Sequence, residues 1–175
     1  MFSWLIIATG GVFYWKKVSY EPWKIMLFSF LANIALHIPS LYIVQNRYGL
    51  DYPAYINQAG SFATGETHLN RISSLQGPCF YPAGHLWLYS MPYILHLNTL
   101  EAEFIMKFLT FIVHSLNNLL ISLISFEYFK DKPEKAQMIC VMLLANEGER
   151  IMNQLMFNDQ ILGMSIFAAI YLVTC

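Results

Sequence analysis

The side chains that could do chemistry lie together in one polar stretch, residues 45–85. Its two acids are Asp51 and Glu66. A carboxylate can act as a general base when the proton that it accepts lies within hydrogen-bond reach, and cationic or donor groups can stabilise an anionic leaving group. The candidates for this second role are Arg47, His68, Arg71 and His85. On the residues alone, a solvated loop aspartate and basic side chains that extend to a membrane interface are the favoured interpretation.

This stretch ends in a segment of unusual composition, which runs from Gln76 to His85 and reads QGPCFYPAGH. Its two prolines fix the backbone angle φ at ~-65° and remove two hydrogen-bond donors. Its two glycines allow turns or close approach that other residues resist. The aromatic pair Phe80 and Tyr81 is typical of a membrane–water boundary. Composition alone therefore favours a rigid elbow at which a loop enters a bilayer.

The overall composition indicates an integral membrane protein. Hydrophobic residues make up 57% of the 175 residues and charged residues only 12%, whereas about a quarter of the residues in soluble proteins are charged. The formal net charge of -1 argues against a nucleic-acid partner. Cys79, Cys140 and Cys175 lie far apart without a C-x-x-C spacing. Neither a zinc site nor a disulfide framework is therefore predicted.

Three stretches resemble the dolichyl-phosphate-mannose-dependent α-1,3-mannosyltransferases that extend the lipid-linked oligosaccharide. They are LDYPAY at 50–55, QGPCFYPAGH at 76–85 and LMFNDQ at 155–160. Their order and spacing agree with the amino-terminal part of that family. The chain departs from the family pattern at Gly49, where the family usually carries an acid, and at Leu155, where it usually carries an arginine.

The resemblance implies a GT-C glycosyltransferase of the endoplasmic-reticulum membrane with a lumenal active site. Such an enzyme transfers mannose from dolichyl-phosphate-mannose to Man5GlcNAc2-PP-dolichol with inversion, and Asp51 matches its general base. No cofactor and no metal are implied, and the partners are the two lipid-linked substrates and the bilayer. The residues implied to bind donor or acceptor are Tyr52, Gln76, Gly77, Pro78, Tyr81, His85, Phe157, Asn158 and Asp159.

The apolar runs predict an all-α, polytopic membrane protein with a GT-C-like helical bundle. Ile25 to Val44 is twenty residues without a charge, long enough to cross ~30 Å of hydrocarbon at ~1.5 Å per residue. Lys16, Lys17 and Lys24 precede it and predict a cytoplasmic amino terminus. The predicted segments are a cytoplasmic or interfacial segment over 1–24, spans over 25–44, 83–98 and 104–126, a lumenal loop over 45–82, a re-entrant or short helix over 136–156, and an incomplete fourth span over 160–175.

Within the lumenal loop, apolar residues at helical spacing after Pro53 predict a short amphipathic helix on the membrane surface. Thr64 and Gly65 are the predicted stop, and Asn57, Gln58 and Ser61 are assigned to the polar side. The three predicted spans leave Phe126 on the lumenal side. Residues 136–156 would then enter and leave the membrane from the lumen, which returns Asn158 and Asp159 to the face of Asp51.

Several alternatives stay open at this point. The chain could be another GT-C enzyme with a different acceptor, a non-catalytic membrane fragment with a scaffolding role, or a transporter-like bundle. Asn158 and Asp159 could equally cap the helix before Ile161. Because the last apolar run reaches Cys175, the chain is expected to be truncated within its fourth span. We therefore expect that these 175 residues alone do not catalyse transfer.

Overall fold

A computed structural model of the chain describes residues 22–41, 51–144, 156 and 159–174. These residues are mostly helical, which confirms the all-α part of the prediction. The helices are α1 (Pro22–Leu41), α2 (Asp51–Ala63), α3 (Ala83–Tyr89), α4 (Met91–Ile94), α5 (Thr99–Tyr128), α6 (Pro133–Leu144) and α7 (Asp159–Thr174), with a 3-10 helix at Leu69–Arg71 and a small hairpin of β1 (Ser73–Ser74) and β2 (Gly77–Pro78). Predictions for residues 1–21, 42–50 (Arg47 and Gly49 among them), 145–155 and 175 and for Phe157 and Asn158 lie outside the described residues.

The longest described helix is α5, which packs against α1, α6 and α7. It begins five residues before the predicted bound because Asn98 caps it. The Asn98 side chain accepts hydrogen bonds from the backbone N–H groups of Leu100 and Glu101, both at 3.0 Å. The Glu101 carboxylate in turn accepts from the Asn98 backbone N–H, also at 3.0 Å. This reciprocal capping box satisfies donors that the first turn of a helix otherwise leaves unpaired.

The exposure pattern of α5 is the reverse of the pattern in a soluble protein. Its exposed face is apolar and recurs every four residues, through Leu100, Phe104, Phe108, Ile112 and Leu116. Its buried face carries most of its charged and amide side chains. They are Glu103, Lys107, His114, Asn117 and Asn118. Polar residues within membrane helices face the bundle interior in this way. Of the helices in the described ranges, α5 has the length and hydropathy to cross a membrane, and α7 is a shorter apolar helix.

The first predicted span forms α1, whose bounds lie within three residues of the predicted ones. Pro22 is its first residue, a position where the missing N–H of proline costs nothing. The helix exposes Trp23, Leu27, Leu31 and Ile38 and buries Asn33. Among its described side chains, α1 thus exposes apolar residues and buries an amide, as α5 does.

Polar side-chain contacts join α5 to the helices that surround it. The Asn117 side chain donates to the backbone carbonyl of Gln160 at 2.8 Å and to its side-chain oxygen at 3.0 Å. This contact joins α5 to α7. His114 instead bonds to Asn118 on the same helix, at 3.0 Å. On the opposite flank, the Cys140 thiol of α6 donates to the Ser122 hydroxyl at 3.3 Å.

Residues 51–98 fold as one unit in which α2 packs against β1, α3 and α4. The predicted stop of α2 is confirmed, since Gly65 has φ +109 and helix α2 ends at Ala63. The prediction that its apolar face lies on a membrane surface is corrected. Tyr55 and Ala59 are buried against protein because residues 69–97 fold back over that face. Gln58, which was assigned to the polar side, is buried as well.

The segment over 83–98 differs from the single kinked span that its apolar composition predicts. It forms α3 and α4, of seven and four residues, which meet at Ser90. At ~1.5 Å per residue, neither helix reaches the ~30 Å of a hydrocarbon core by itself. Pro92 lies in the first turn of α4 and favours a new helix start there rather than continuation of α3. These short helices lie beside α2 instead.

The cap of α5 gives a test of this fold. Asn98→Ala should lower the stability of the protein by ~1 kcal/mol, because two backbone donors lose their acceptor. The measurement is the apparent melting temperature in detergent. Asn70→Ala, at an exposed position of the 3-10 helix, is the matched control. An Asn98→Ala protein that melts like the control contradicts the role of the capping box.

Candidate functional site

The first two motifs meet in a compact group of aromatic side chains, Tyr52, Tyr55, Tyr81, His85 and Tyr89, which we call the tyrosine cluster. The His85 ring lies 4.4 Å from Tyr55, 4.5 Å from Tyr81 and 4.6 Å from Tyr89 between ring centroids. The Tyr55 and Tyr81 hydroxyls are 3.1 Å apart, within hydrogen-bond distance. LDYPAY and QGPCFYPAGH are therefore packed directly against each other.

Burial determines the charge of the histidine in this cluster. His85 is only 7% exposed, and burial lowers its pKa to about 4. At neutral pH the imidazole is therefore uncharged. The sequence offers His85 as a cationic or hydrogen-bond-donating group for an anion, and a neutral ring leaves the second of these roles. A neutral ring fits between aromatic rings and could still donate or accept a hydrogen bond.

The third motif reaches the same cluster through Met156. The Tyr89 hydroxyl donates to the backbone carbonyl of Met156 at 2.6 Å. The Met156 side chain is buried together with Tyr52 and Met106. Its backbone has φ +56, a conformation that is uncommon for a residue other than glycine. The chain thus turns sharply at the cluster just before α7 begins at Asp159.

Two carboxylates flank the tyrosine cluster at the starts of helices. Asp51 is the first residue of α2 and is half-buried, and Asp159 is the first residue of α7 and is exposed. Acidic side chains are favoured there by the partial positive charge of a helix amino terminus. Burial, the Tyr81 hydrogen bond and the nearby charges of Tyr81 and Asp51 raise the pKa of Tyr55. Burial, followed by the charges of Tyr52, Tyr81 and Asp159, likewise raises the pKa of Tyr89.

The other predicted site residues lie on the hairpin. Gln76 is exposed in its turn, Gly77 has φ +127, and Pro78 is exposed on β2. The buried Gln58 side chain ties this hairpin to α2, because it donates to the Ser74 hydroxyl at 3.5 Å and to the Gly77 carbonyl at 3.4 Å. Gly77 is thereby held beside the helix that Asp51 begins. Two of the predicted basic candidates, His68 and Arg71, are exposed.

Sequence reasoning missed a buried ion pair on α5, between Glu103 and Lys107. Both side chains are 4% exposed. The signal was present as an acid followed four residues later by a lysine inside an apolar run, a spacing that puts both on one helix face. Glu103 also lines a cavity with Tyr52 and Pro53, the two residues that follow Asp51. Among the described residues, no group of three potential metal ligands occurs.

Comparison with known families fits this arrangement of motifs. The family described as ALG3 protein matches residues 25–175. The chain belongs to the ALG3 protein family. The site described above lies wholly within the matched range.

Curated relatives carry names of the same kind. A probable Dol-P-Man:Man(5)GlcNAc(2)-PP-Dol alpha-1,3-mannosyltransferase of Dictyostelium discoideum is 38% identical over 98 residues, which cover 51% of this chain and 22% of that protein. A Dol-P-Man:Man(5)GlcNAc(2)-PP-Dol alpha-1,3-mannosyltransferase of Cryptococcus neoformans is 32% identical over 68 residues, 39% of this chain and 15% of that protein. The matches thus span less than a quarter of these relatives. No solved structure matches the chain.

The Tyr89–Met156 hydrogen bond gives a test of the site. Tyr89→Phe should lower stability by ~1–3 kcal/mol, because a buried carbonyl loses its donor. The measurement is the melting temperature in detergent, with Tyr128→Phe as the same substitution at an exposed position. Equal melting temperatures for the two variants would refute the contact between the second and third motifs.

Proposed function

We propose that the protein transfers mannose from dolichyl-phosphate-mannose to Man5GlcNAc2-PP-dolichol in α-1,3 linkage, on the lumenal side of the endoplasmic-reticulum membrane. The observation that carries the proposal is the meeting of LDYPAY, QGPCFYPAGH and the start of the third motif at the tyrosine cluster. Membership of the ALG3 protein family and the names of the relatives support it.

In the proposed reaction Asp51 is the general base. A β-linked donor and an α-linked product require one displacement from the opposite face of the sugar. The Asp51 carboxylate accepts the proton of the attacking acceptor hydroxyl as the new glycosidic bond forms. The bond from the anomeric carbon to the phosphate oxygen breaks, and dolichyl phosphate leaves as an anion. A half-buried carboxylate at the start of α2, supported by buried Tyr52 and Tyr55, is suited to this task because its backbone is fixed.

The other predicted site residues take supporting roles in this proposal. Tyr81 and His85 hold α3 against α2, and His85 acts as a neutral ring rather than as a cation. The hairpin residues Gln76, Gly77 and Pro78 form an edge near α2 that is available to substrate. Asp159, the first residue of α7, binds donor or acceptor in this proposal, as do Phe157 and Asn158 of the same motif.

The membrane arrangement is also a proposal, and it revises the predicted topology. Met106 lies in the core with Tyr52 and Tyr55, and Phe126 follows 20 residues later on the same helix. At ~1.5 Å per residue, ~30 Å separate them, the thickness of a hydrocarbon core. If the cluster is lumenal, α5 therefore ends on the cytoplasmic side rather than in the lumen. The end of α5 is on the other side from the one predicted because residues 83–98 form two short helices instead of one span.

The rest of the proposed topology follows from α5. The four residues that join α5 to α6 favour an antiparallel neighbour, so α6 runs back toward the lumen. The contact of Met156 with Tyr89 returns the chain to the lumenal cluster, and α7 crosses again. The outward apolar and inward polar faces of α1 and α5 support several crossings.

The proposed base can be tested directly. In the longest protein that the gene encodes, Asp51→Asn should lower mannosyl transfer at least ~100-fold, because the acceptor hydroxyl loses its base. The measurement is the conversion of Man5 to Man6 lipid-linked oligosaccharide by microsomes supplied with dolichyl-phosphate-mannose. Glu66→Gln, at the other acid of the same segment, should retain parental activity. Normal turnover by Asp51→Asn removes this residue from the mechanism.

The proposed topology predicts which loops face the cytoplasm. In a protein whose cysteines have been replaced by serine, a cysteine at Asp131, between α5 and α6, should react with a membrane-impermeant maleimide in sealed microsomes. A cysteine at Thr67, exposed in the unit between α1 and α5, should react only after the lumen is opened. Labelling of both positions from the same side contradicts the assignment of α5 as a crossing.

A further inference from the structure

A cavity of about 310 Å³ lies between α2, the turn after α4 and the start of α5. Small-molecule sites in proteins measure ~300–1,000 Å³, so this cavity is at the lower limit. It has room for one sugar ring and not for an oligosaccharide. Tyr52 and Pro53 form part of its wall, and both directly follow Asp51 in the chain. The space is therefore adjacent to the proposed base.

The wall of the cavity combines aromatic rings with a few polar groups. Tyr52 and Tyr93 contribute the rings, Asn57 an amide and Glu103 a carboxylate, and most other wall residues are apolar. A sugar ring presents the same mixture, with apolar C–H faces and hydroxyls at its edge. An amide offers both a donor and an acceptor, and a carboxylate offers acceptors only. The wall can therefore bind a ligand that is apolar on its faces and donates hydrogen bonds at its edge.

The charge of Glu103 needs an explanation beyond stability. Its carboxylate is buried and paired with Lys107 one turn later on α5. Removing two charges from water is costly, and replacing such a buried pair by apolar residues is often neutral or stabilising. The pair is therefore a poor stabilising device for this helix. Because Lys107 balances its charge, the Glu103 carboxylate can be held inside the protein at the cavity wall, where it can accept hydrogen bonds from hydroxyl groups.

A glycine in α2 makes room for Tyr93, one of the aromatic residues of the cavity wall. A Cβ atom added at Gly60 would lie 2.8 Å from both Cζ and the hydroxyl oxygen of Tyr93. The absent side chain leaves the space in which the Tyr93 ring sits. Glycine in a helix interior costs ~1 kcal/mol relative to alanine, and at this position the close approach of Tyr93 gives it a function. The aromatic wall is thus built into the packing of α2 against α4.

We infer that this cavity binds a single hexose unit of one of the two lipid-linked substrates, with Glu103 accepting hydrogen bonds from its hydroxyls. The inference rests on the proposed function, because it makes the cavity the sugar subsite next to Asp51. Both the donor and the acceptor carry mannose, so the same wall chemistry suits either. The substrate whose binding depends on Glu103 is the one that occupies the cavity.

Kinetics with both substrates test this assignment. Two variants of the longest encoded protein are compared with the parent: Glu103→Gln combined with Lys107→Met, which removes both charges, and Ala102→Phe, which fills the cavity from its own wall. We expect the KM of one substrate to rise roughly tenfold or more, the effect of losing hydrogen bonds to a charged group. A rise confined to dolichyl-phosphate-mannose assigns the cavity to the donor sugar, and a rise confined to the oligosaccharide assigns it to the acceptor.

The matched control is Glu101→Gln, two residues earlier on the same helix. Glu101 is exposed, and glutamine can replace it in the capping box. This variant should keep both KM values of the parent. If the two cavity variants melt like the parent and also keep both KM values within twofold, the inference is wrong.

A binding measurement separates this inference from the proposed function and does not depend on a variant that folds. The parent protein in microsomes is photolabelled with dolichyl-phosphate-mannose that carries a diazirine on the sugar, and the labelled peptides are identified. A second sample is photolabelled with Man5 lipid-linked oligosaccharide that carries the diazirine on a mannose. For an occupied cavity we expect label in Tyr52–Asn57 or Tyr93–Glu103 from the probe whose sugar binds there. Label in these peptides without any mannosyl transfer retains the sugar site and rejects the proposed reaction. Label from both probes found only elsewhere rejects the cavity.

Discussion

The packing of His85 among three tyrosines is the contact on which the rest of the site depends. The ring centroids of Tyr55, Tyr81 and Tyr89 lie between 4.4 and 4.6 Å from that of His85. Such aromatic contacts contribute ~0.5–1.5 kcal/mol each beyond the area that they bury. Burial lowers the pKa of His85, so the ring that packs among them is neutral. Tyr55 lies on α2, His85 and Tyr89 lie on α3, and Tyr81 lies between β2 and α3. One cluster therefore fixes the position of both motifs.

A different constraint governs the helices. In a soluble protein the polar face of α5 would be in water, but here that face is inside the bundle and the apolar face is outside. The buried amides must then find partners within the protein. Asn117 does so with Gln160, and the small residue Gly163 allows α7 to approach that amide closely. Polar pairing therefore sets the relative position of α5 and α7, and through α7 the position of Asp159.

Much of the site could be predicted from the sequence, because its motifs are local. The end of α2 before Gly65 follows from its glycine, and the helix starts at Asp51, two residues before the predicted start at Pro53. The carboxy-terminal ends of α5 and α7 lie within two residues of the ends of the apolar runs that predict them. The proximity of the first two motifs could only be supposed from resemblance, since no local signal pairs Tyr55 with Tyr81.

The failures also have physical causes. Apolar composition over 83–98 cannot distinguish a helix in lipid from two short helices packed on protein, because both bury apolar surface. Helical periodicity placed Gln58 on a polar side, but a folded hairpin covers that side and accepts hydrogen bonds from its amide nitrogen. The inferred role of Glu103 depends on a cavity whose α2 residues lie more than forty residues before it in the chain. None of these tertiary contacts has a counterpart in local sequence.

The aromatic packing around His85 and the inward polar face of α5 together suit a substrate that is apolar at one end and charged at the other. The outward apolar face of α5 begins at Leu100, which is exposed in the first turn. In the same turns the inward face of the helix carries Glu103 and the cavity wall. If the proposed function is correct, a dolichyl chain can follow the outer face in the hydrocarbon while its sugar enters at the capped end of the helix. The amino terminus of α5 is then the point where lipid and sugar recognition meet, and the tyrosine cluster holds Asp51 beside it.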